Sequence, residues 1–277
     1  MIKIILALLV LLYTQNSIAQ EEKKDNTGTN PANFTYDTRF YFELADLSDP
    51  SGSLMTSTVE FRLPLGRDIA NLSDDPEASP FYNIGKKLQF RMRAKYKSLN
   101  IDTPEIPFGN SGISGIGDFD FRVLYMAYTS KSFLFVPGLE VTIPAATNDA
   151  LGFGKTVLSP IVFGVFPGLL GKGSLFAPGY QYVFDIAGPG DRADISRSQI
   201  DLYLVWLLAK GKNWLIVDPQ VVFDHETNKT LMLTEVEWGT MITPLPGASV
   251  YIRPGIGIGG DKPYSWNFEA GLKFVWR

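Results

Sequence analysis

The stretch WNFEAGLKFVW, Trp266–Trp276, alternates between large apolar side chains and polar or small ones. Phe268 and Leu272 belong to the apolar set, whereas Glu269 and Lys273 belong to the other. Because successive side chains of a β-strand point to opposite faces, this period of two indicates a strand with one apolar and one mixed face. The two faces of the predicted strand must therefore meet different surroundings.

The same alternation recurs along most of the chain. In LQFRMRAKYK, Leu88–Lys97, four basic side chains share one strand face. Clusters of Gly, Pro, Asp, Asn and Ser separate the alternating segments, as they do between strands. The alternation is weakest in the first two segments. Twelve strands are predicted, near residues 37–45, 54–64, 86–97, 116–128, 133–143, 156–166, 174–185, 198–208, 213–224, 230–242, 248–258 and 265–276.

The length of these segments distinguishes a membrane protein from a water-soluble one. Strands of globular proteins average about 5 to 6 residues, whereas a tilted strand needs about 9 to 11 to cross a membrane. The predicted strands have the longer length, and their even number is typical of bacterial barrels. The sequence therefore predicts an all-β fold, a transmembrane antiparallel β-barrel of about 12 strands.

The connections between the predicted strands support this interpretation. Bacterial barrels have short periplasmic turns and longer outer loops. The short connections are 129–132, 167–173, 209–212 and 244–247. The longer ones are 98–115, 144–155, 186–197, 225–229 and 259–264. The exception is 65–85, a long connection that the alternation assigns to the periplasmic side.

Five prolines fall within the predicted strands: Pro137, Pro160, Pro178, Pro219 and Pro254. Proline cannot donate a hydrogen bond to the neighbouring strand, and strand interiors tolerate it mainly at edges or bulges. We interpret these positions as candidate β-bulges.

The first 19 residues predict a secretory signal peptide, and with it the bacterial outer membrane as the destination. Lys3 precedes an apolar run at Ile4–Tyr13, and the small residues Ser17 and Ala19 fit a cleavage site after Ala19. Residues 20–36 are polar and predict a disordered N-terminal arm. Residues 37–277 form the predicted barrel.

Composition excludes several other classes of protein. The chain has no cysteine, which excludes disulfides. No later apolar run approaches the roughly 18 residues of a membrane helix. The net charge of −4 shows no excess of basic residues of the kind that nucleic-acid-binding proteins carry. The predicted partners are outer-membrane lipid, the outer-membrane assembly machinery and an unidentified small solute.

If the apolar strand faces meet lipid, the polar faces line a lumen. The predicted lumen-facing residues are Arg91, Arg93, Lys95, Lys97, Asp118, Asp120, Arg122, Glu140, Asp201, Asp218, Arg253, Glu269 and Lys273. Two interpretations stay open: a salt-bridged network that plugs the barrel, and a polar path for a solute. A lumen of twelve strands is narrower than that of a porin with 16 to 18 strands, which favours a selective channel or transporter for small solutes.

The sequence predicts no enzyme, no catalytic residue, no cofactor and no metal site. Serine and cysteine nucleophiles commonly use a histidine as base, and His225 is the only histidine. An outer-membrane lipid hydrolase is therefore one alternative. Because alternation does not show which face meets solvent, a soluble periplasmic β-sandwich that binds a ligand is another.

Two short motifs carry a family resemblance. Gly115-Ile116-Gly117-Asp118 begins the fourth strand, and Glu140-Val141-Thr142-Ile143-Pro144 is followed by Gly152-Phe153-Gly154. These motifs resemble those of the outer-membrane proteins linked to the meta-cleavage pathway of phenol degradation, mainly over residues 115–166. The resemblance implies a barrel that passes hydrophobic or aromatic solutes, and it supplies no catalytic residues. The chain departs from the usual ending, since Arg277 follows Trp276 where a terminal aromatic is common.

Overall fold

The computed structural model describes residues 27, 29–48, 51–65, 84–85, 87–101 and 111–276. Twelve strands build the fold, the fourth of them in three segments. They are β1 (Tyr36–Ser48), β2 (Ser51–Pro64), β3 (Leu88–Ile101), β4 (Ser111–Ile116, Phe119–Tyr125 and Tyr128–Thr129), β5 (Leu134–Ile143), β6 (Thr156–Pro167), β7 (Ser174–Ala187), β8 (Ser196–Leu208), β9 (Asn213–Asp224), β10 (Lys229–Met241), β11 (Ala248–Ile258) and β12 (Tyr264–Trp276).

The sheet is closed. Each strand pairs antiparallel with its neighbours in the chain, and β1 pairs with β12 from Tyr36 opposite Trp276 to Leu47 opposite Tyr264. Closure leaves one unpaired edge among the described strands, at the segment Ser111–Ile116, which pairs with β3 only. The prediction of a 12-stranded antiparallel barrel is confirmed. The alternative of a β-sandwich is wrong, because a sandwich requires two sheets packed face to face.

The strand positions agree with the prediction to within a few residues, except in β4. That strand begins at Ser111, earlier than expected, and is interrupted at residues 117–118 and 126–127. The first two strands, whose alternation is weakest, are 13 and 14 residues long. No helix in the described part of the chain is long and apolar enough to cross a membrane.

The interpretation of the five strand prolines as bulges is wrong for Pro160, Pro178, Pro219 and Pro254, but one ladder does shift its register at Pro137. Each keeps its register with one neighbouring strand: Pro137 lies opposite Val162, and Pro254 lies opposite Phe268. Registers also shift away from the prolines, at Asp46/Leu47 in one ladder and at Thr156/Val157 in another. A backbone N–H and C=O in an antiparallel sheet point to one neighbour, so a proline interrupts the ladder on that side only. The ladders therefore continue past four of the prolines without an extra residue. Opposite Pro137, β4 carries one extra residue between Leu124, which lies opposite Gly138, and Tyr128, which lies opposite Phe135.

The outer surface of the barrel is apolar around its whole circumference. Exposed residues on it include Phe40 on β1, Leu202 on β8, Trp238 on β10 and Ile252 on β11. Charged neighbours in the same strands face inward, as Asp201 does beside Leu202. An exposed apolar band of this extent fits a barrel surrounded by lipid.

The two ends of the barrel differ. One end carries Tyr36, Trp276 and the tight turns after β4, β6, β8 and β10, and we call it the short-turn end. The other end carries the connections after β3, β5, β7, β9 and β11, on the side that the sequence predicted, and we call it the long-loop end, although the connection after β9 spans only residues 225–228. Residues 66–83, within the predicted long periplasmic connection, lie outside the described residues. So do the predicted signal peptide and its cleavage site.

The interior is not polar throughout. Toward the short-turn end it contains an apolar cluster that includes Val136, Val165, Ala177, Val205 and Trp214, all nearly inaccessible to solvent. These positions lie on β5 to β9, and their side chains point inward. The charged part of the lumen is therefore confined to the remaining space.

Candidate functional site

A cavity of about 550 Å³ lies inside the barrel. Nine of the thirteen predicted lumen-facing residues line it: Arg91, Arg93, Lys95, Lys97, Arg122, Asp201, Asp218, Arg253 and Glu269. The other four, Asp118, Asp120, Glu140 and Lys273, are buried without lining it. The alternation of the strands thus brings most of the predicted set to one internal space.

Three arginines of the cavity share one carboxylate. Arg122 on β4 donates from Nε to Glu140 on β5 over 2.7 Å, Arg93 on β3 donates to it over 3.5 Å, and Arg91 also pairs with it. The register places Arg91 opposite Arg122, and Arg122 opposite Glu140. Like charges directly opposite each other destabilise a sheet. The negative charge of Glu140 therefore offsets the repulsion between Arg91 and Arg122.

A second carboxylate serves the same basic face. Asp120 on β4 lies opposite Arg93 and approaches its guanidinium to 3.0 Å and the Lys95 ammonium to 2.5 Å. The hydroxyl of Thr142 also donates to Asp120, over 2.9 Å. Further along β3, Lys97 lines the cavity and forms no ion pair with any described residue. The basic face consequently carries more positive charge than its carboxylates neutralise.

The carboxylates of β8 and β9 are held differently. Asp201 accepts a hydrogen bond from Gln199, and Asp218 accepts one from Gln220, each over 3.0 Å. Neither aspartate forms an ion pair with a described residue. The second oxygen of Asp218, Oδ1, is buried and has no hydrogen-bond partner in the described part of the chain. These two acids therefore have no cationic partner among the described residues.

The acids of β10 are paired instead. Arg253 on β11 donates to Glu235 over 3.4 Å and lies 2.9 Å from Glu237. Trp214 donates from its indole N–H to Glu237 over 2.6 Å. Glu269 on β12 accepts from the Tyr251 hydroxyl over 2.7 Å. These contacts fix the positions of the charged side chains on β10, β11 and β12.

Part of the N-terminal arm lies inside the barrel. Thr29 and Pro31 line the cavity, and Ala32 belongs to the apolar cluster at the short-turn end. Lys273 does not line the cavity. It is buried beneath the Trp214 ring and donates to the backbone carbonyl of Thr27 over 2.8 Å. The described part of the arm is thus packed rather than disordered, while disorder of residues 20–26 stays a prediction.

Asp118 anchors a loop instead of facing a solute path. Its carboxylate accepts from the backbone N–H groups of Ala145, Ala146 and Phe153, in the loop between β5 and β6. A side chain at Gly152 would collide with that carboxylate. The sequence predicted that Asp118 faces the lumen, because backbone partners from a distant loop leave no signal in strand alternation.

Sequence reasoning missed the charges of the first two strands. Arg39 and Glu43 on β1 and Glu60 and Arg62 on β2 also line the cavity. Arg62 lies 2.6 Å from Glu60, and Arg39 lies 3.4 Å from it. A signal was available, because Arg39, Tyr41 and Glu43 alternate with Phe40 and Phe42.

The structure brings a serine to the only histidine. Ser198 on β8 shares a hydrogen bond of 2.9 Å with Nε2 of His225, which is exposed in the loop after β9. A catalytic histidine is normally oriented by a third group at its other ring nitrogen. No such contact to His225 exists among the described residues. Ser198 and His225 are therefore as close as the residues of a catalytic dyad, but no described residue orients the histidine ring.

A closed antiparallel barrel with an apolar outer surface and a charged internal cavity defines a transmembrane β-barrel. No protein-family model and no curated protein matches the chain. Among solved structures, it is similar to an outer membrane channel from Pseudomonas putida F1, with a TM-score of 0.62 and 9% identity over 92% of this chain and 100% of that one.

Two further solved structures share this architecture. The NanC porin aligns with a TM-score of 0.56 and 11% identity, covering 86% of this chain and 98% of that one. The β domain of the Bordetella autotransporter BrkA aligns with a TM-score of 0.50 and 12% identity, covering 87% and 99%. At identities this low, the likeness supports the fold and leaves the function to the site.

Proposed function

We propose that this protein is a bacterial outer-membrane channel for small solutes. The observation that carries the proposal is the cavity inside the closed barrel, lined by charged side chains of both signs. Charges in a water-excluding protein core are costly unless they are paired. The unneutralised charges at Asp201, Asp218 and Lys97 are more readily explained by a hydrated lumen that admits solutes.

The same proposal includes the route and the surroundings of the protein. Residues 1–19 would direct export and be removed after Ala19, the assembly machinery would insert the barrel, and outer-membrane lipid would cover its apolar surface. The resemblance to the phenol meta-pathway proteins adds hydrophobic or aromatic compounds to the solutes worth testing. The charged lining favours polar solutes over these.

Reconstitution into planar bilayers tests the channel. We expect the wild-type protein to conduct ions, and Arg93→Gln to change the ratio of anion to cation permeability. This substitution should preserve the fold, because Asp120 keeps Lys95, and Glu140 keeps Arg91 and Arg122. Lys210→Gln, in the exposed turn after β8, is the matched control. No conductance in any protein would favour a plugged structural barrel.

A second candidate function is lipid hydrolysis, favoured by the hydrogen bond between Ser198 and His225. Ser198 shares a strand face with Ile200 and Leu202, which are exposed on the apolar outer surface, so a lipid could reach it. The test is release of fatty acid from phospholipid vesicles. Activity that disappears in both Ser198→Ala and His225→Ala would establish the hydrolase, and no release by the wild type would exclude it.

A further inference from the structure

We propose that the lumen binds a small zwitterion, with its ammonium group at Asp201 and Asp218 and its carboxylate at the arginines of β3 and β4. The inference deepens the proposed channel function and rests on it for its biological meaning. It names the class of solute that the lumen selects, and it follows from how the charges divide between opposite walls of the cavity.

The wall formed by β2 to β4 is basic. Its cavity-lining charges are six cations and one anion: Arg62, Arg91, Arg93, Lys95, Lys97, Arg122 and Glu60. The buried acids Asp120 and Glu140 neutralise part of this charge, yet Glu140 alone serves three arginines. A guanidinium offers several N–H donors in a plane, which suits a second carboxylate. The basic wall can therefore accept an additional carboxylate from a solute.

The wall formed by β8 to β12 is acidic. Its cavity-lining charges are five anions and one cation: Asp201, Asp218, Glu235, Glu237, Glu269 and Arg253. Arg253 neutralises Glu235 and Glu237 in part, which leaves the charge of Asp201 and Asp218 without a counterion. In a ring of twelve strands, β8 and β9 lie across the lumen from β2 and β3. The basic wall and the acidic wall thus lie on opposite sides of the cavity.

Asp218 on the acidic wall has a carboxylate oxygen available to accept a hydrogen bond from a solute. The residue is 6% exposed and lines the cavity, and its Oδ1 has no partner among the described residues. A buried acceptor without a hydrogen bond costs about 1 to 3 kcal/mol, and more for a charged group. An ammonium group has three N–H donors and can satisfy Asp218 and Asp201 together. A lone anion at the basic wall would leave this acceptor unsatisfied.

The two walls together select for a dipole rather than for a net charge. A simple anion is attracted by β2 to β4 but repelled by β8 and β9, and a simple cation meets the reverse. A zwitterion aligned across the lumen gains from both walls, because opposite potentials on facing walls orient a dipolar molecule. A zwitterion can offer one charge to each wall, which neither a cation nor an anion can do.

Binding calorimetry on the detergent-solubilised full-length barrel tests the inference without requiring an open pore. The probes are 4-aminobutanoate, butanoate, butylammonium and butanamide, which share a four-carbon skeleton and differ in charge. We expect 4-aminobutanoate to bind at least about tenfold more tightly than each of the other three, the factor that about 1.4 kcal/mol supplies. Butanoate, butylammonium or butanamide binding as tightly as 4-aminobutanoate would overturn the zwitterion site.

Variants assign the two ends of the solute. Asp201→Asn with Asp218→Asn should weaken 4-aminobutanoate binding about tenfold and abolish the residual butylammonium binding. Arg93→Gln should weaken 4-aminobutanoate and leave butylammonium unchanged. Glu226→Gln, in the exposed loop after β9, should alter neither. Equal losses in the Glu226→Gln control would show a nonspecific charge effect and would refute the site.

The outcomes separate this inference from the channel function. Tight 4-aminobutanoate binding by a barrel that does not conduct would retain the site and reject the channel. Conductance without discrimination among the four probes would retain the channel and reject the site.

Discussion

Glu140→Gln is the substitution that should most perturb the folded lumen, because this carboxylate serves three arginines. Without its charge, Arg93 keeps Asp120 as a partner, at 3.0 Å. Arg91 and Arg122 keep no acidic partner among the described residues. Their side chains are only 11% and 15% exposed, so water replaces the lost ion pairs incompletely.

The expected magnitude follows from these two orphaned guanidiniums. Removing one partner of a buried ion pair costs about 3 to 5 kcal/mol. Water in the adjacent cavity should hydrate part of the freed charge, and the glutamine carbonyl can still accept one hydrogen bond. We therefore expect Glu140→Gln to lower the free energy of unfolding by about 3 kcal/mol, the lower end of that range.

Urea unfolding in lipid vesicles, followed by tryptophan fluorescence, measures this loss. Glu226→Gln is the control, since an exposed loop substitution should stay within about 0.5 kcal/mol of the wild type. Adding Arg122→Gln to Glu140→Gln should recover part of the loss, because it removes one of the orphaned cations. Residues in one ion-pair network are not additive. A loss below about 1 kcal/mol, or full additivity of the two substitutions, would refute the shared-carboxylate account.

Three further substitutions test other parts of the barrel. Gly239→Ala should destabilise it by about 1 to 3 kcal/mol, since the new methyl group would collide with the buried Trp214 ring; Gly190→Ala, with open space around it, should be neutral in the same urea titration. Asp118→Ala should leave the barrel folded but make the loop after β5 faster in hydrogen exchange, because three backbone donors lose their acceptor; unchanged protection would contradict the anchoring role. Leu202→Lys places a charge on the outer surface near the middle of β8 and should cost about 2 to 4 kcal/mol in a bilayer, whereas a small effect would argue against lipid contact there.

Strand alternation predicted the barrel because it depends only on local sequence. Strands with one apolar and one polar face, even in number and long enough to cross a membrane, favour a closed barrel. The same pattern placed the basic face of β3 and the acids of β8 and β9 inside. It did so without knowledge of any partner, since the direction of a side chain alternates whichever strand lies alongside.

The ion-pair partners of the lumen residues and the position of the N-terminal arm inside the barrel could not be predicted from alternation. The register that sets Arg91 opposite Arg122, and Arg122 opposite Glu140, depends on three strands at once. The packing of Ala32 inside the barrel depends on a space that exists only after closure. Composition indicated a disordered arm because its polar residues predict no core, but the lumen supplies polar and apolar partners for the described part of it.

The glycines and Asp118 of the motifs that suggest a solute are accounted for by the docking of a loop. A side chain at Gly115 would collide with Thr147, and one at Gly152 would collide with the carboxylate of Asp118. Asp118 in turn holds the backbone of that loop at Ala145 and Phe153. These residues therefore explain how the long-loop end folds, and they do not line the cavity. Shared motifs of this kind can accompany different lumen charges, so the solute has to be inferred from the two walls of the cavity rather than from the resemblance.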